Sequence, residues 1–193
     1  MTNLNITQET PTRSQTANVP LVIRAMTNQA AFVELYQIWV RPVYRFLYSK
    51  VSDHEIAEDL TSLTFMAVLE SIHKLRDADR FAAWLFRIAR NKATDYFRKN
   101  KRERLIDDDW IWEALSTEVQ AHSVSAEELI ALQQLLASLS TQERELLSLR
   151  FLAGLRYREI AGVLGKPEST IKKTIYRVLA RIQHSMEKEN EHN

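Results

Sequence analysis

The stretch from Arg156 to Arg181 is RYREIAGVLGKPESTIKKTIYRVLAR, and it predicts two short helices joined by a tight turn. The turn is predicted at residues 165–167, Gly-Lys-Pro, because glycine tolerates a left-handed backbone and proline cannot donate a hydrogen bond inside a helix. Apolar residues recur at helical spacing on both sides of the turn: Tyr157, Ile160, Ala161 and Leu164 before it, and Ile171, Ile175, Val178 and Ile182 after it. This pattern is typical of a helix-turn-helix.

The polar face of the second predicted helix carries the residues that we expect to contact duplex DNA. Ser169 or Glu168 is expected to cap this helix. A helix of this width fits the major groove, where its first residues reach base edges while lysine and arginine neutralise phosphates. The candidate residues are Ser169, Thr170, Lys172, Lys173, Tyr176 and Arg177. Taken alone, the stretch also fits an ordinary helical hairpin with solvated lysines.

Charge is unevenly distributed along the 193-residue chain, although the formal net charge is only +1. Residues 80–104 contain nine Lys or Arg and two acids, and residues 154–181 contain seven Lys or Arg and two acids. Residues 107–128, between them, contain seven acids and no Lys or Arg. The pattern predicts two polyanion-binding parts joined by a segment that avoids polyanions.

The composition narrows the class of protein. Only 3 glycines are present and helix-favouring residues dominate, so we predict an all-α fold. Cysteine is absent, which excludes disulfides and thiolate metal sites. No apolar run approaches the roughly 20 residues that cross a bilayer, and the N-terminus lacks a signal-peptide pattern. We therefore expect a cytoplasmic protein without membrane insertion.

No constellation of side chains predicts catalysis, a metal site, a cofactor or a small-molecule substrate. The five histidines, at positions 54, 73, 122, 184 and 192, are scattered along the chain. The acidic triplet at 107–109 lacks histidine partners at ligand spacing, so a solvated segment is the expected interpretation.

Periodicity in the N-terminal half predicts three helices. Residues 1–26 are expected to be disordered, unless the apolar patch at 19–23 fixes them. The first helix begins near Asn28 and passes Pro42, which is expected to kink or split it. A capping box, Ser52-x-x-Glu55, opens the second helix, and residues 81–99 form the third.

The second half is predicted to begin with a linker over residues 105–125. Capping boxes at Ser125-x-x-Glu128 and Ser140-x-x-Glu143 then open two helices, and the second of these is expected to end at Gly154.

Separate stretches of the chain together resemble the extracytoplasmic-function group of bacterial sigma factors. Residues 57–61 are AEDLT, residues 84–91 are WLFRIARN with Asp95 and Arg98 following, and LSTQER at 139–144 precedes the helix-turn-helix. The WLxRIARN run is specific at this spacing, whereas a helix-turn-helix alone is not. The resemblance covers nearly all of residues 30–186 and implies two small helical domains, sigma regions 2 and 4, joined by a flexible acidic linker.

The resemblance implies a non-catalytic subunit that binds core RNA polymerase, through its β′ coiled coil and its β subunit, and directs it to promoter DNA. Region 2, over residues 27–104, would read and melt the minus-ten element. Region 4, over residues 126–187, would read the minus-thirty-five element. Residues 188–193 would form a tail. The implied minus-ten residues are Arg76, Arg80, Arg87, Asn91, Lys92, Arg98 and Lys99. The implied polymerase-binding residues are Asp59, Leu63, Phe65 and Leu69. Such proteins often have an anti-sigma factor, which no pattern here identifies.

One departure and two alternatives accompany this resemblance. The family commonly has Gln-Glu where this chain has Ser62-Leu63, so the polymerase contact lacks a carboxylate there. A stand-alone helix-turn-helix regulator would bind duplex DNA without polymerase. A nuclease or modifying enzyme could use the basic 80–104 face, but the clustered acids lie outside that stretch.

Overall fold

The fold is helical in the part of the chain that the structure, a computed structural model, describes: residues 19–100 and 138–190. These ranges contain no strand, and the predicted all-α class is confirmed. The N-terminal unit consists of α1 (Val19–Ala25), α2 (Gln29–Val51), α3 (His54–Ser71) and α4 (Phe81–Asn100). The C-terminal unit consists of α5 (Thr141–Leu147), a π-helical turn (Ser148–Leu152), α6 (Tyr157–Leu164) and α7 (Glu168–Asn190).

Helix α1 corrects the expectation that residues up to 26 are disordered. Leu21, Val22 and Ala25 are buried, because the apolar side of α1 packs against α2. The patch at 19–23 therefore does fix the chain, and order begins before Thr27. The remainder of the predicted extension, residues 1–18, lies outside the described residues.

Polar residues cap both ends of α2 and the start of α3. The Asn28 side chain caps α2 by accepting a 3.0 Å hydrogen bond from the Ala31 amide, and α2 then runs unbroken past Pro42. The predicted capping box at Ser52 is wrong. Ser52 ends α2 in a left-handed conformation (φ 50°), and Asp53 caps α3 instead by accepting a 3.0 Å bond from Ile56 N.

An aromatic cluster forms the core of the N-terminal unit. Trp39 lies edge-on to Phe81 and Phe86, with ring centroids 5.9 and 6.1 Å apart, and Phe46 lies 5.4 Å from Phe86. All four rings are at most 2% exposed, and their edge-to-face geometry is the arrangement that aromatic pairs prefer. Trp84 is half-buried and packs against this core, with its ring centroid 6.0 Å from that of Phe81.

The C-terminal unit confirms most of the predicted helix-turn-helix. The capping box forms, with Glu143 N donating to Ser140 Oγ (3.3 Å) and Ser140 N donating to Glu143 Oε2 (3.0 Å). Gly154 and Gly165 both have the left-handed φ, 68° and 65°, that such turns require. The predicted α7 stripe is buried, as Ile171, Ile175, Val178 and Ile182.

The predicted cap of α7 is wrong. Helix α7 already begins at Glu168, and the amides of Thr170 and Ile171 bond to the carbonyl of Pro167 at 3.0 and 3.2 Å. Glu168 thus lies in the first turn of α7, where its negative charge interacts favourably with the positive end of the helix dipole. The predicted linker at 105–125 and the helix predicted to open at Ser125 lie largely outside the described residues.

The two units pack against each other, mainly through α4 against α6 and α2 against the π-helical turn. We call this the closed arrangement. The approach is tight, since a Cβ added at Gly162 of α6 would lie only 2.9 Å from Ala83 Cβ of α4. A side chain at residue 162 would therefore push the units apart.

Candidate nucleic-acid and polymerase interfaces

The start of α7 presents a basic, hydrogen-bonding surface. All the residues predicted there are exposed, because the stripe on the opposite side of α7 is buried in the C-terminal unit. Lys172 Nζ lies 2.9 Å from Glu168 Oε1, and the hydrogen bond and charge of Glu168 raise the pKa of Lys172. We call this surface the α7 face; it consists of Ser169, Thr170, Lys172, Lys173, Tyr176 and Arg177.

Tyr157, which the sequence pattern placed among the apolar residues of α6, packs against Tyr176 and Lys172 of the α7 face. Its half-buried ring lies 6.1 Å from the ring of Tyr176. The guanidinium of Arg150 lies 4.8 Å from the Tyr157 ring centroid and Lys172 Nζ lies 5.7 Å from it, within cation–π range. Burial, followed by the hydrogen bond with Tyr176, raises the pKa of Tyr157. Side-chain spacing alone could not identify this cluster, because Arg150 and Tyr176 meet Tyr157 only in three dimensions.

Replacing Tyr157 is expected to show that its ring, more than its hydroxyl, holds this cluster together. We expect Tyr157→Ala to lower the free energy of unfolding by about 2–3 kcal/mol, since a half-buried aromatic ring is lost. Tyr157→Phe removes only the hydroxyl and is expected to cost about 1 kcal/mol or less. Denaturant unfolding of the full chain, followed by circular dichroism, measures both. Equal effects of the two variants would contradict this role for the ring.

The candidate minus-ten residues do not form a single row. Arg87, Asn91 and Arg98 share one face of α4, since they lie near multiples of the helical repeat, and all three are exposed. Lys92 and Lys99 lie on an adjacent face, where Lys99 is exposed and Lys92 is half-buried.

Ion pairs and a bond to the C-terminal unit already engage several of these cations. Arg98 lies 3.0 Å from Asp95, and Arg80 in the preceding turn lies 3.1 Å from Asp77; Arg76 is exposed in the same connection. Arg87 differs from the others because its Nη2 donates a 2.5 Å hydrogen bond to the carbonyl of Gly162 in the C-terminal unit. In the closed arrangement Arg87 is therefore occupied.

Of the four residues on α3 that were predicted to bind polymerase, three are exposed and one is buried. Leu63 and Leu69 are exposed (45% and 58%), as is Asp59. Phe65 does not belong to this surface, because it is only 5% exposed and packs edge-on against Tyr36 with ring centroids 4.8 Å apart. Met66 takes its place at 58% exposure, and together Asp59, Leu63, Met66 and Leu69 form what we call the α3 face.

Two other kinds of feature are absent from the part of the chain that the structure describes. No group of three or more His, Asp or Glu side chains that could hold a metal ion occurs among the side chains that the structure describes. Within the same part of the chain, no helix has the length and apolar character needed to cross a membrane.

Comparisons with known proteins point to one family for both units. Residues 35–103 match the family Sigma-70 region 2, and residues 129–182 match the family Sigma-70, region 4. The chain is 37% identical over 152 residues to the ECF RNA polymerase sigma factor SigM of Bacillus subtilis, covering 78% of this chain and 91% of that protein.

Two solved structures share the fold. The first is CnrH in complex with the cytosolic domain of CnrY, with a TM-score of 0.59 and 25% identity over 89% of this chain and 97% of that chain. The second is the sigma factor RpoE of Bartonella quintana in complex with the anti-sigma factor NepR, with a TM-score of 0.57 and 24% identity over 81% of this chain and 96% of that chain.

Proposed function

The chain belongs to the ECF RNA polymerase sigma factors of the sigma-70 family, and we propose that its two helical units divide promoter recognition between them. As a sigma factor it binds core RNA polymerase and directs initiation to specific promoters. The observation that carries this function is the match of region 2 to one unit and region 4 to the other. A stand-alone regulator would need only the helix-turn-helix and is not favoured.

We assign residues 27–104 to region 2, 105–125 to the linker, 126–187 to region 4 and 188–193 to a tail. In this assignment α7 enters the major groove of the minus-thirty-five duplex. Lys172 and Lys173 neutralise phosphates, while Tyr176 and Arg177 reach base edges. The exposure of the whole α7 face, with the apolar stripe buried behind it, supports this role.

Helix α4 and the connection before it bind the minus-ten element as a melted single strand. The row of Arg87, Asn91 and Arg98 follows the strand, with Lys92 and Lys99 beside it and Arg76 and Arg80 at its start. Single-strand binding needs a cationic track together with groups that can meet unstacked bases, and Asn91 offers both a donor and an acceptor to a base edge. The exposure of Arg87, Asn91 and Arg98 on one face supports this role.

The α3 face binds the β′ coiled coil of polymerase. Its three exposed apolar side chains are large enough to anchor a helix–helix contact, and Asp59 supplies a charge at its edge. Because Leu63 stands where the family commonly has a carboxylate, we propose that this contact depends more on apolar burial than on ion pairs.

The remaining parts of the proposal follow from this role. The protein acts in the cytoplasm, where promoter DNA and polymerase meet, and it contributes binding without catalysis of its own. An anti-sigma factor is a further proposed partner, since the chain shares its fold with RpoE of B. quintana, which was solved with one.

Reconstitution with sigma-free core polymerase tests the function directly. The purified chain is expected to co-elute with core polymerase and to produce run-off transcripts from a subset of a promoter panel, none of which core polymerase transcribes alone. If the chain binds promoter duplex by itself but neither co-elutes nor supports transcription, the stand-alone regulator is the correct interpretation instead.

A further inference from the structure

The closed arrangement contains a carboxylate of one unit held by two cations of the other. Glu145 on α5 lies 2.5 Å from Lys50 Nζ at the end of α2, and its two oxygens lie 3.2 and 3.5 Å from Nε and Nη2 of Arg90 on α4. The Lys50 and Glu145 side chains are only 10% and 12% exposed. Burial raises the pKa of Glu145, but Lys50 and Arg90 outweigh that effect and lower it below its ordinary value. Glu145 is therefore ionised at neutral pH.

A second acceptor group of the C-terminal unit, the Gly162 carbonyl, meets the same side of α4. Arg87, one helical turn before Arg90, donates its 2.5 Å bond to the Gly162 carbonyl. Two neighbouring arginines of the N-terminal unit are thus bonded to two groups of the C-terminal unit, the Glu145 carboxylate and the Gly162 carbonyl. Arg87 also begins the row that continues through Asn91 and Arg98, so these oxygens lie at one end of a cationic track.

Two partly buried cations around one carboxylate define a site for an anion. When the units separate, Lys50 and Arg90 lose the carboxylate of Glu145, and another anion with two oxygens can take its place between them. A phosphodiester fits the same donors: like the carboxylate it offers two oxygens that share a negative charge, which suits the fork of Arg90 and the point charge of Lys50.

We propose that Lys50 and Arg90 form a phosphate-binding notch that takes a backbone phosphate of promoter DNA, and that Glu145 occupies this notch as a substitute anion in the closed arrangement. The proposal rests on the assignment of α4 to nucleic acid made above and extends it to Lys50, on a different helix. Nucleic acid is favoured over a free anion because the notch continues into the row of Arg87, Asn91 and Arg98, which a single phosphate would not need.

The closed arrangement of the two units and the binding of single-stranded DNA in the notch are then mutually exclusive. DNA that fills the notch must displace Glu145, so it favours separation of the units. By linkage, any change that opens the units must strengthen strand binding by the same factor. The ion pair of Arg158 with Asp79 is a second contact between the units and does not touch the notch, so it offers an independent way to open them.

The experiment uses the full chain, whose lack of cysteine allows a dye pair at Val33→Cys and His184→Cys to report separation of the units. Binding of a fluorescent single-stranded oligonucleotide is measured at several salt concentrations. We expect Glu145→Gln to reduce energy transfer between the dyes and to tighten oligonucleotide binding about tenfold. The salt slope should change little, because the same phosphate fills the notch in both proteins.

Two further variants separate the notch from a general loosening of the protein. Asp79→Ala is expected to separate the units and to tighten oligonucleotide binding, as Glu145→Gln does. Adding Lys50→Met to either variant should remove the gain in affinity and lower the salt slope by about 0.7, the value for one phosphate on a single strand, while the units stay open. The proposal is overturned if neither variant opens the units, or if Lys50→Met leaves the gain intact. Thermal unfolding by circular dichroism confirms that each variant is folded.

Two further measurements distinguish a failure of the notch from a failure of the assignment of α4 to nucleic acid. Arg98→Met and Lys50→Met, each combined with Glu145→Gln so that the units are open in both, test the α4 row and the notch separately: if Arg98→Met leaves oligonucleotide binding unchanged while Lys50→Met weakens it, the notch stands and the α4 row does not. The converse result overturns the notch and keeps the row. Inorganic phosphate, added at constant ionic strength, is expected to open the wild-type chain far less than the oligonucleotide does. Equal opening by inorganic phosphate would overturn the nucleic-acid assignment.

Discussion

Replacing both Lys172 and Lys173 with alanine is expected to weaken promoter binding by the polymerase holoenzyme about 30-fold. Both side chains are exposed on the α7 face, and each lost contact with a phosphate is expected to cost about 1 kcal/mol. The loss should be similar for all minus-thirty-five sequences, and the salt slope for duplex DNA should fall by about 1.8, since each phosphate contact contributes about 0.9. Filter binding and run-off transcription across a salt series measure both quantities.

Arg177→Ala on the same face is expected to behave differently. If Arg177 contacts a guanine through two hydrogen bonds, its loss should relax base preference at one position by about 1–3 kcal/mol. This difference between the lysine variant and Arg177→Ala is informative, because a loss of folding would weaken the binding of both variants to every DNA sequence. The double variant Arg24→Ala/Arg41→Ala, which removes the same charge from exposed positions on α1 and α2, serves as the control and should leave minus-thirty-five recognition unchanged. Equal losses in the control and the lysine variant would contradict the proposed role of α7.

The parts of the structure that sequence could predict are those fixed by local pattern. The α7 stripe follows from a repeat of apolar residues, and the turn at Gly165 follows from the one residue type that adopts its positive φ without strain. The capping box at Ser140 also formed as predicted. These features involve residues that lie within a few positions of each other, so the sequence contains all the information they need.

The errors arose where distant residues decide between local alternatives. Ser52 and Asp53 can each cap α3, and the choice falls on Asp53 because α2 extends to Val51 and leaves Ser52 in the left-handed conformation. Phe65 and Met66 are adjacent apolar residues that cannot both face the core, and the position of Tyr36 on α2 decides which one does.

The contacts between the two units had no local signal at all. Glu145 meets Lys50 across 95 residues of chain, and Arg87 meets Gly162 across 75. Charge counting identified two basic blocks but gave no information on which of their cations meet the other unit. The structure shows instead that part of the first block is already neutralised by the second unit, a relation that depends on tertiary packing alone.

Introducing charge on the α3 face is expected to have the largest effect on polymerase binding. We expect the double variant Met66→Asp/Leu69→Asp to weaken binding to core polymerase at least about 100-fold. Two apolar anchors are lost, at about 2 kcal/mol each for central interface residues, and two carboxylates would have to be desolvated in their place. Both side chains are about half exposed in the free chain, so the variant should fold normally. Titration of labelled chain with core polymerase measures the affinity.

A matched control and the salt dependence make this prediction specific. Ile23→Asp adds a carboxylate at a comparably exposed apolar position (56%) on α1 of the same unit and is expected to leave polymerase affinity unchanged. Because Leu63 replaces the carboxylate that the family commonly has, polymerase binding by the wild-type chain should depend only weakly on salt, and Ser62→Gln/Leu63→Glu should make it steeper. If Ile23→Asp weakens polymerase binding as much as the α3 variant does, the contact is not made by α3. If wild-type binding is already steeply salt-dependent, ion pairs elsewhere dominate the contact.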